Sequence, residues 1–267
     1  MGILNVTPDS FSDGGRWNHM DDALFHAQRM IEEGADILDI GGESTRPGYT
    51  RISDEEEISR VAPVIEALKN RFDIPISVDT YKSEVAKAAI LAGADLINDI
   101  WGLKADKKMA EVIAKAKLPS CLMHNRETME YNNFLEDVVS DLQETLNIAK
   151  KAGISKDTII LDPGVGFAKN YEQNLAITNH LEVLDTLGCP VLLGTSRKSM
   201  IGLTLDLPSD QREASHSHLL PRNRQQLRNW APYTHHRRRP FGSIRRPTGV
   251  AVRCHLIHCA AAPEYRK

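Results

Sequence analysis

The sequence predicts an α/β protein with a parallel sheet, and it favours a TIM (β/α)8 barrel over a doubly wound sheet. Up to about residue 205, seven short apolar runs alternate with amphipathic stretches of helical length, which is the pattern of a parallel sheet with crossover helices. Polar residues follow nearly every apolar run. In a barrel all strand ends meet at one mouth, whereas a doubly wound sheet would concentrate such residues at one crevice.

The predicted strands are, in order, MGIL, DILDI, PISVD, ADLIND, PSCLMH, TIILDPG and PVLLGTS. The predicted helices are MDDALFHAQRMIEEG, SDEEEISRVAPVIEALKNRF, YKSEVAKAAILAG, DKKMAEVIAKAK, FLEDVVSDLQETLNIAKKAG and YEQNLAITNHLEVLDTLG. Apolar residues of the first helix recur at i, i+3 and i+4, which predicts one buried face. Four helices are expected to end at a glycine, the residue that best accepts a left-handed backbone: Gly34, Gly93, Gly153 and Gly188.

Length and composition indicate one large domain without a membrane segment. The chain has 267 residues, and a barrel of this class takes about 250. It contains no apolar run of about 18 residues and no basic, apolar, cleavable leader, so we expect neither a transmembrane helix nor a signal peptide. Its four cysteines are scattered and lack zinc-ligand spacing, which predicts free thiols, and so few cysteines in a chain of this size suit a reducing cytoplasm.

The charge distribution divides the chain near residue 213. Residues 1–213 have 22 Lys and Arg against 35 Asp and Glu, a net charge of −13, whereas residues 214–267 have 11 against 1, a net charge of +10. The second part holds ten Arg, six His and five Pro without helical periodicity. We therefore expect two regions: a barrel over 1–213 and an atypical basic tail over 214–267.

The polar residues at the strand ends are of types that bind anions and heterocycles. DIGGESTRPG combines close backbone approach with the hydroxyl of Thr45 and the forked donor of Arg46, which suits phosphate, although an ordinary loop would also explain it. GTSRKS adds Ser196, Arg197 and Lys198.

A second group of strand-end residues suits a flat, nitrogen-rich ring. Asp79, Asn98 and Asp162 each end a predicted strand, and together they could bond such a ring, since a carboxylate can accept two parallel N–H bonds. Any one of them alone would more simply be a helix N-cap.

Other functional classes find little support. The chain lacks a G-x-S-x-G nucleophile elbow and a G-x-G-x-x-G turn after a strand, which argues against hydrolase and dinucleotide sites. His124 follows the fifth strand, but no Cys, His or carboxylate set with metal-ligand spacing surrounds it in the sequence. A structural histidine is the favoured interpretation.

Residues 1 to about 212 resemble the dihydropteroate synthase family of pterin-binding TIM barrels. The resemblance rests on MGILNVTPDSFSDGG, GADILDIGGESTRPG, ISVDTYK, LINDI, LDPGVGF and LLGTSRKS, which occur in order. It implies a transferase of folate biosynthesis that joins 7,8-dihydropterin-6-ylmethyl diphosphate to 4-aminobenzoate with Mg²⁺, without a covalent catalytic residue. Catalysis would then depend on positioning and electrostatics.

The resemblance also implies residue roles. Asn5 would lie near the metal and the diphosphate, and the polar stretch after it would cover the site. Thr45 and Arg46 would meet the anionic side. The pterin ring would contact Asp79, Asn98, Asp162 and Lys198, and the aminobenzoate would contact Phe167, Ser196 and Arg197. The family is commonly dimeric, so a homodimer is possible, whereas no membrane or nucleic-acid partner is expected.

Residues 214–267 depart from the family, which continues with an eighth strand bearing an Arg-x-His-Asp motif. A frameshift near residue 213 is the favoured explanation, a natural basic tail that binds nucleic acid is a second, and a divergent eighth strand, GVAVRCHLIH with Arg253 and His255, is a third. Loss of the family's last strand would leave an impaired pterin-binding protein. A pterin-dependent methyltransferase is a further alternative, against which TSRKS and ESTRPG argue.

Overall fold

The computed structural model describes residues 1–7, 16–43, 51–196, 198–206 and 254–256, with only the backbone described for 16–19 and 254–256. Within these ranges, eight strands form one sheet: β1 Gly2–Asn5, β2 Leu38–Gly41, β3 Ile76–Asp79, β4 Leu96–Asp99, β5 Ser120–Met123, β6 Ile159–Asp162, β7 Val191–Leu193 and β8 Cys254–Leu256. Each strand pairs in parallel with its neighbour in the chain, in the order β1 to β8. This is the topology of a TIM barrel, as the alternating pattern predicts.

Seven α-helices connect the strands in the described ranges: α1 Arg16–Glu32, α2 Asp54–Arg71, α3 Ser83–Ala92, α4 Met109–Ala116, α5 Phe134–Ala152, α6 Tyr171–Asn179 and α7 Ser199–Leu205. The four glycines predicted to end helices all have positive φ, which confirms them as left-handed caps. Among the described helices, none is long and apolar enough to cross a membrane.

The alternation of side chains along each strand separates a core from a mouth. Leu38 and Ile40 of β2 pack into the apolar layer between sheet and helices, so Asp39 and Gly41 face the barrel interior. A smaller apolar cluster of Leu96, Cys121 and Leu192 fills that interior. Cys121 and Cys189 are free thiols, as predicted.

The sixth predicted helix is interrupted. The sequence pattern predicts one helix over 171–188, but α6 ends at Asn179 and a 3-10 helix runs over Leu181–Leu187. His180 joins them at φ −125° and ψ 45°, outside the helical region. Thr178, Asn179 and His180 are weak helix formers, so nothing in the local propensities opposes the break.

The eighth strand, Cys254–Leu256, lies within GVAVRCHLIH, the segment that the third explanation of 214–267 assigns to a divergent eighth strand. The backbone of Cys254–Leu256 pairs with β7, with His255 opposite Leu192. Arg253 and the remainder of 214–267 lie outside the described residues, so the origin of this region stays a prediction.

Candidate active site

Strand register brings three of the predicted site residues to one level of the mouth. Asn5 is opposite Gly41, Gly41 is opposite Asp79, and Asp79 is opposite Asn98. These positions are therefore neighbours on adjacent strands, and the pleat turns their side chains to the same face. Gly41 leaves room there, because a Cβ atom at this position would stand 3.1 Å from Asn5 Oδ1.

Asp79 and Asn98 form a pair of hydrogen-bond acceptors, and Asp39 holds the side chain of Asn98 in place. Asn98 donates from Nδ2 to Asp39 Oδ2 at 3.0 Å, which leaves its carbonyl oxygen as an acceptor for a ligand. The buried Oδ1 of Asp79 has no hydrogen-bond partner among the described residues. Burial, and then the charge of Asp39, raise the pKa of Asp79 well above its usual range. A ligand that donates N–H bonds here would stabilise the carboxylate.

Asp39 itself was not predicted from the sequence. It is 3% exposed, and burial raises its pKa. A signal was present, because an acidic residue lies in the middle of an apolar run, DILDI, at an inward position of the strand.

Asp162, Phe167 and Lys198 form the other side of the mouth. The Asp162 carboxyl accepts from the Gly164 N–H at 2.7 Å, and Lys198 Nζ lies 4.4 Å from the centroid of the Phe167 ring. Burial raises the pKa of Asp162 to about 6, even though the Gly164 N–H and the positive charge of Lys198 act in the opposite direction. The structure thus combines a carboxylate, a cation and an aromatic face in one place.

The remaining predicted site residues are distributed as follows. Asn5 is exposed at the end of β1, and Ser196 follows β7, two residues before Lys198. Thr45, Arg46 and Arg197 lie outside the described residues. Among the described side chains, no group of three or more His, Cys, Asp or Glu is arranged to hold a metal. A single amide oxygen such as that of Asn5 suits Mg²⁺ bound mainly by water and substrate phosphate.

A buried ion cluster flanks the segment that contains Thr45 and Arg46. Lys82 Nζ lies 2.7 Å from both Glu43 Oε2 and Glu57 Oε2 and donates to the Ile52 carbonyl at 2.8 Å. Tyr81 donates to Glu43 Oε1 at 2.6 Å. Glu43 and Ile52 stand on either side of residues 44–51 in the chain, so the cluster fixes the positions of these two flanking residues.

The cluster has distinct protonation preferences. Burial alone would raise the pKa of Glu43, but hydrogen bonds from Lys82 and Tyr81 outweigh burial and lower it. For Glu57, burial dominates and raises the pKa despite the bond to Lys82. Glu57 is therefore the carboxylate that accepts a proton more readily.

A second buried network lies behind Asp162. His124 Nε2 lies 2.9 Å from Asp141 Oδ2, and His124 Nδ1 lies 2.8 Å from Lys169 Nζ. Burial lowers the pKa of His124 to about 4 and that of Lys169 to about 7. His124 is thus partnered at both ring nitrogens, which agrees with the structural role favoured from the sequence.

An open cavity of about 360 Å³ lies beside this network, formed by the connection between β5 and α5 and by the first turns of α5. It is lined by Arg126, Glu130, Tyr131, Asn132, Asp137, Ser140 and Asp141. Its main charges are already paired, since Arg126 lies 2.6 Å from Asp141 and 3.7 Å from Asp137. The strand-end residues at the mouth, and not this cavity, have the chemistry of a substrate site.

Comparison with known proteins identifies close relatives. The family described as pterin binding enzyme matches residues 1–226. Dihydropteroate synthase of Clostridium beijerinckii is 63% identical over 212 residues, which cover 79% of each chain. The Bacillus subtilis dihydropteroate synthase is 58% identical over 212 residues, covering 79% of this chain and 74% of the relative.

Solved structures agree with these relatives. A Clostridium difficile dihydropteroate synthase, determined in the presence of pteroic acid, superposes with a TM-score of 0.80 at 48% identity and covers 82% of this chain and 84% of that one. A Xanthomonas albilineans dihydropteroate synthase with 4-aminobenzoic acid gives a TM-score of 0.77 at 45% identity, covering 83% of each chain.

Proposed function

The chain belongs to the pterin binding enzyme family, and we propose that it is a dihydropteroate synthase, a transferase of folate biosynthesis. The observation on which this rests is the 63% identity to a dihydropteroate synthase across 79% of both chains. The reaction joins 7,8-dihydropterin-6-ylmethyl diphosphate to 4-aminobenzoate. The bond between the methylene carbon and the diphosphate oxygen breaks, the amine nitrogen bonds to that carbon and loses a proton, and pyrophosphate leaves.

The pterin ring would occupy the pocket between the two sides of the mouth. Asp79 and Asn98 offer acceptor oxygens on one side, and Asp162 offers a carboxylate on the other. A ring edge rich in N–H donors would complete these groups, and it would supply the partner that the buried Asp79 oxygen lacks among the described residues. Lys198, lying against Phe167, would bring positive charge to the ring's carbonyl edge.

The diphosphate would lie toward β1 and the segment after β2. Thr45 and Arg46 are proposed to contact it, and Asn5 is proposed to contribute an amide oxygen to a Mg²⁺ ion shared with the phosphates. When bound, Mg²⁺ would supply positive charge that stabilises the leaving pyrophosphate. The aminobenzoate is proposed to lie against Phe167, Ser196 and Arg197, and water would have to be excluded while the amine attacks.

No side chain is proposed as a nucleophile or a general base. The amine attacks directly, so the protein's contribution is to hold both substrates in line and to stabilise charge on the departing group. A cytoplasmic location and a homodimer stay predictions.

One alternative has a specific observation behind it. The basic composition of 214–267 favours a chain that retains the pterin pocket but has lost the family's last diphosphate ligands. Such a protein would bind the pterin and turn over slowly or not at all.

The test is pyrophosphate release by the purified full-length chain with both substrates and Mg²⁺. A dihydropteroate synthase releases pyrophosphate only when 4-aminobenzoate is present, and Lys198→Ala abolishes the release, whereas the exposed Lys150→Ala leaves it unchanged. Pterin binding without release would instead establish the impaired pterin-binding protein. Folded protein that neither binds pterin nor releases pyrophosphate would refute the proposal.

A further inference from the structure

The loop between β6 and α6, residues 163–170, has an unusual backbone. Gly164, Gly166 and Ala168 have φ values of +69°, +83° and +45°. The left-handed conformation is disfavoured for alanine, so the surroundings must compensate for it. This loop contains Phe167 and therefore belongs to the pterin side of the mouth.

A single buried ammonium organises the loop from inside. Lys169 is 7% exposed, and its Nζ donates to the carbonyl oxygens of Gly164 and Phe167, both at 3.0 Å. Its third contact is His124 Nδ1 at 2.8 Å. In its protonated form, which burial restricts to pH values below about 7, the amine has three N–H donors, and here three acceptors match them.

The histidine is the acceptor because its other nitrogen is engaged. His124 Nε2 lies 2.9 Å from Asp141 Oδ2, the oxygen that also accepts from Arg126 Nε at 2.6 Å. A carboxylate can only accept, so the ring carries its proton on Nε2 and presents a bare Nδ1 to Lys169. The Asp141 carboxylate thus sets the tautomer, and a neutral ring adds no second positive charge beside the ammonium.

Three contacts join the loop to the residues of the pterin pocket. The backbone N–H of Gly164 donates to Asp162 Oδ1 at 2.7 Å. The Phe167 ring lies under Lys198 Nζ, 4.4 Å away. A Cβ atom at position 166 would stand 3.0 Å from Lys198 Cδ, so this part of the loop packs directly against the lysine stem.

We propose that Lys169 is a positioning residue of the pterin subsite: its ammonium holds the 163–170 loop so that Asp162, Phe167 and Lys198 keep the spacing a pterin ring requires. The inference rests on the proposed function, because the ligand is the pterin of that reaction. Lys169 does not touch the ligand, and it acts through the carbonyls of Gly164 and Phe167.

The test compares Lys169→Met, which keeps the length of the side chain but removes its donors, with Lys150→Met, an exposed lysine on α5. One readout is the dissociation constant of a pterin probe, pteroic acid, measured by calorimetry on the full chain. The other is amide hydrogen exchange of the peptide that covers residues 163–170, which needs no ligand.

We expect Lys169→Met to weaken pteroic acid binding by about 100-fold, the scale that small displacements of positioned groups produce. Exchange should rise in 163–170 and stay unchanged in the β1–β4 peptides, and inorganic pyrophosphate should bind as in the wild type. Lys150→Met should alter neither readout. Wild-type binding of pteroic acid by Lys169→Met, or unchanged exchange in the loop, would overturn the inference.

A second pair of variants covers the case in which Lys169→Met does not fold. His124→Ala removes the third acceptor, whereas His124→Asn retains an acceptor near the Nδ1 position, so the loop should exchange faster in the alanine variant than in the asparagine variant. Equal exchange in the two would refute the role given to the ammonium. If the wild type itself failed to bind pteroic acid, the proposed function would be wrong. Faster amide exchange of residues 163–170 in the variants would still establish that Lys169 keeps this loop in place.

Discussion

Replacement of Lys82 by methionine tests how much the buried ion cluster contributes to stability. The side chains of Lys82, Glu43 and Glu57 are only 2–3% exposed, and both N–O distances are 2.7 Å. With lysine present, the cluster holds one positive and two negative charges, and without it two carboxylates remain buried side by side. Removing one partner of a buried pair costs about 3–5 kcal/mol, so we expect Lys82→Met to lose that amount.

The raised pKa of Glu57 gives this prediction a pH dependence. In the Lys82→Met variant Glu57 can relieve the repulsion by taking up a proton, which becomes easier as the pH falls. The loss should therefore be larger at pH 8 than at pH 5. Glu57→Gln, which imitates the protonated acid, should recover at least about 1 kcal/mol when it is added to Lys82→Met, because neighbouring sites couple.

The assay is equilibrium unfolding in urea, followed by far-UV circular dichroism, with Lys87→Met as the matched control. Lys87 forms an ion pair with Glu84 at the same 2.7 Å, but the two side chains are 47% and 49% exposed. An exposed pair contributes about 0–1 kcal/mol. If Lys82→Met cost no more than Lys87→Met, or if the double variant were no more stable than Lys82→Met, the reasoning from burial would be refuted.

Three further predictions concern the pterin side of the mouth. The pKa of Asp162 is about 6 without ligand, and a donor-rich ring favours the carboxylate, so pteroic acid affinity should rise between pH 5 and pH 7. His124 has a folded pKa of about 4, below its ordinary value, so its contribution to stability is present above about pH 6.5 and is lost toward pH 4, by about 3 kcal/mol. Gly166→Ala should weaken pteroic acid binding about tenfold or more, since φ is +83° and the new Cβ would crowd Lys198.

Each of these has its own control and its own contrary result. Calorimetric titration of Asp162→Asn with pteroic acid should show a weaker pH dependence between 5 and 7 than the wild type, and an equal dependence in the two proteins would contradict the first prediction. Urea unfolding at pH 7.5 and pH 4 should show a smaller loss in His124→Asn than in the wild type, and equal losses would contradict the second. For the third, Gly153→Ala changes a left-handed glycine with nothing within 4 Å of its Cβ position, and equal effects of the two on binding would show that Lys198 is not crowded.

The amino-acid sequence by itself determined the order and type of the elements. The strands β1 to β7 follow from short apolar runs and the first five helices from amphipathic stretches of helical length, both of which are local properties. The positions of Asp79, Asn98 and Asp162 at strand ends follow from the same pattern, because parallel strands present their ends at one edge. The break at His180 did not follow, since the apolar pattern of 171–188 continues through it.

Only the tertiary structure decided which charged groups are buried and what they do. Lys82 and Lys169 look like surface lysines in the sequence, yet their partners Glu43 and His124 are 39 and 45 residues away along the chain. Burial of a charge depends on such distant partners, and no local pattern encodes them. The contacts that hold the pterin pocket in place are therefore a property of the folded barrel, unlike the identity of the residues that line the pocket.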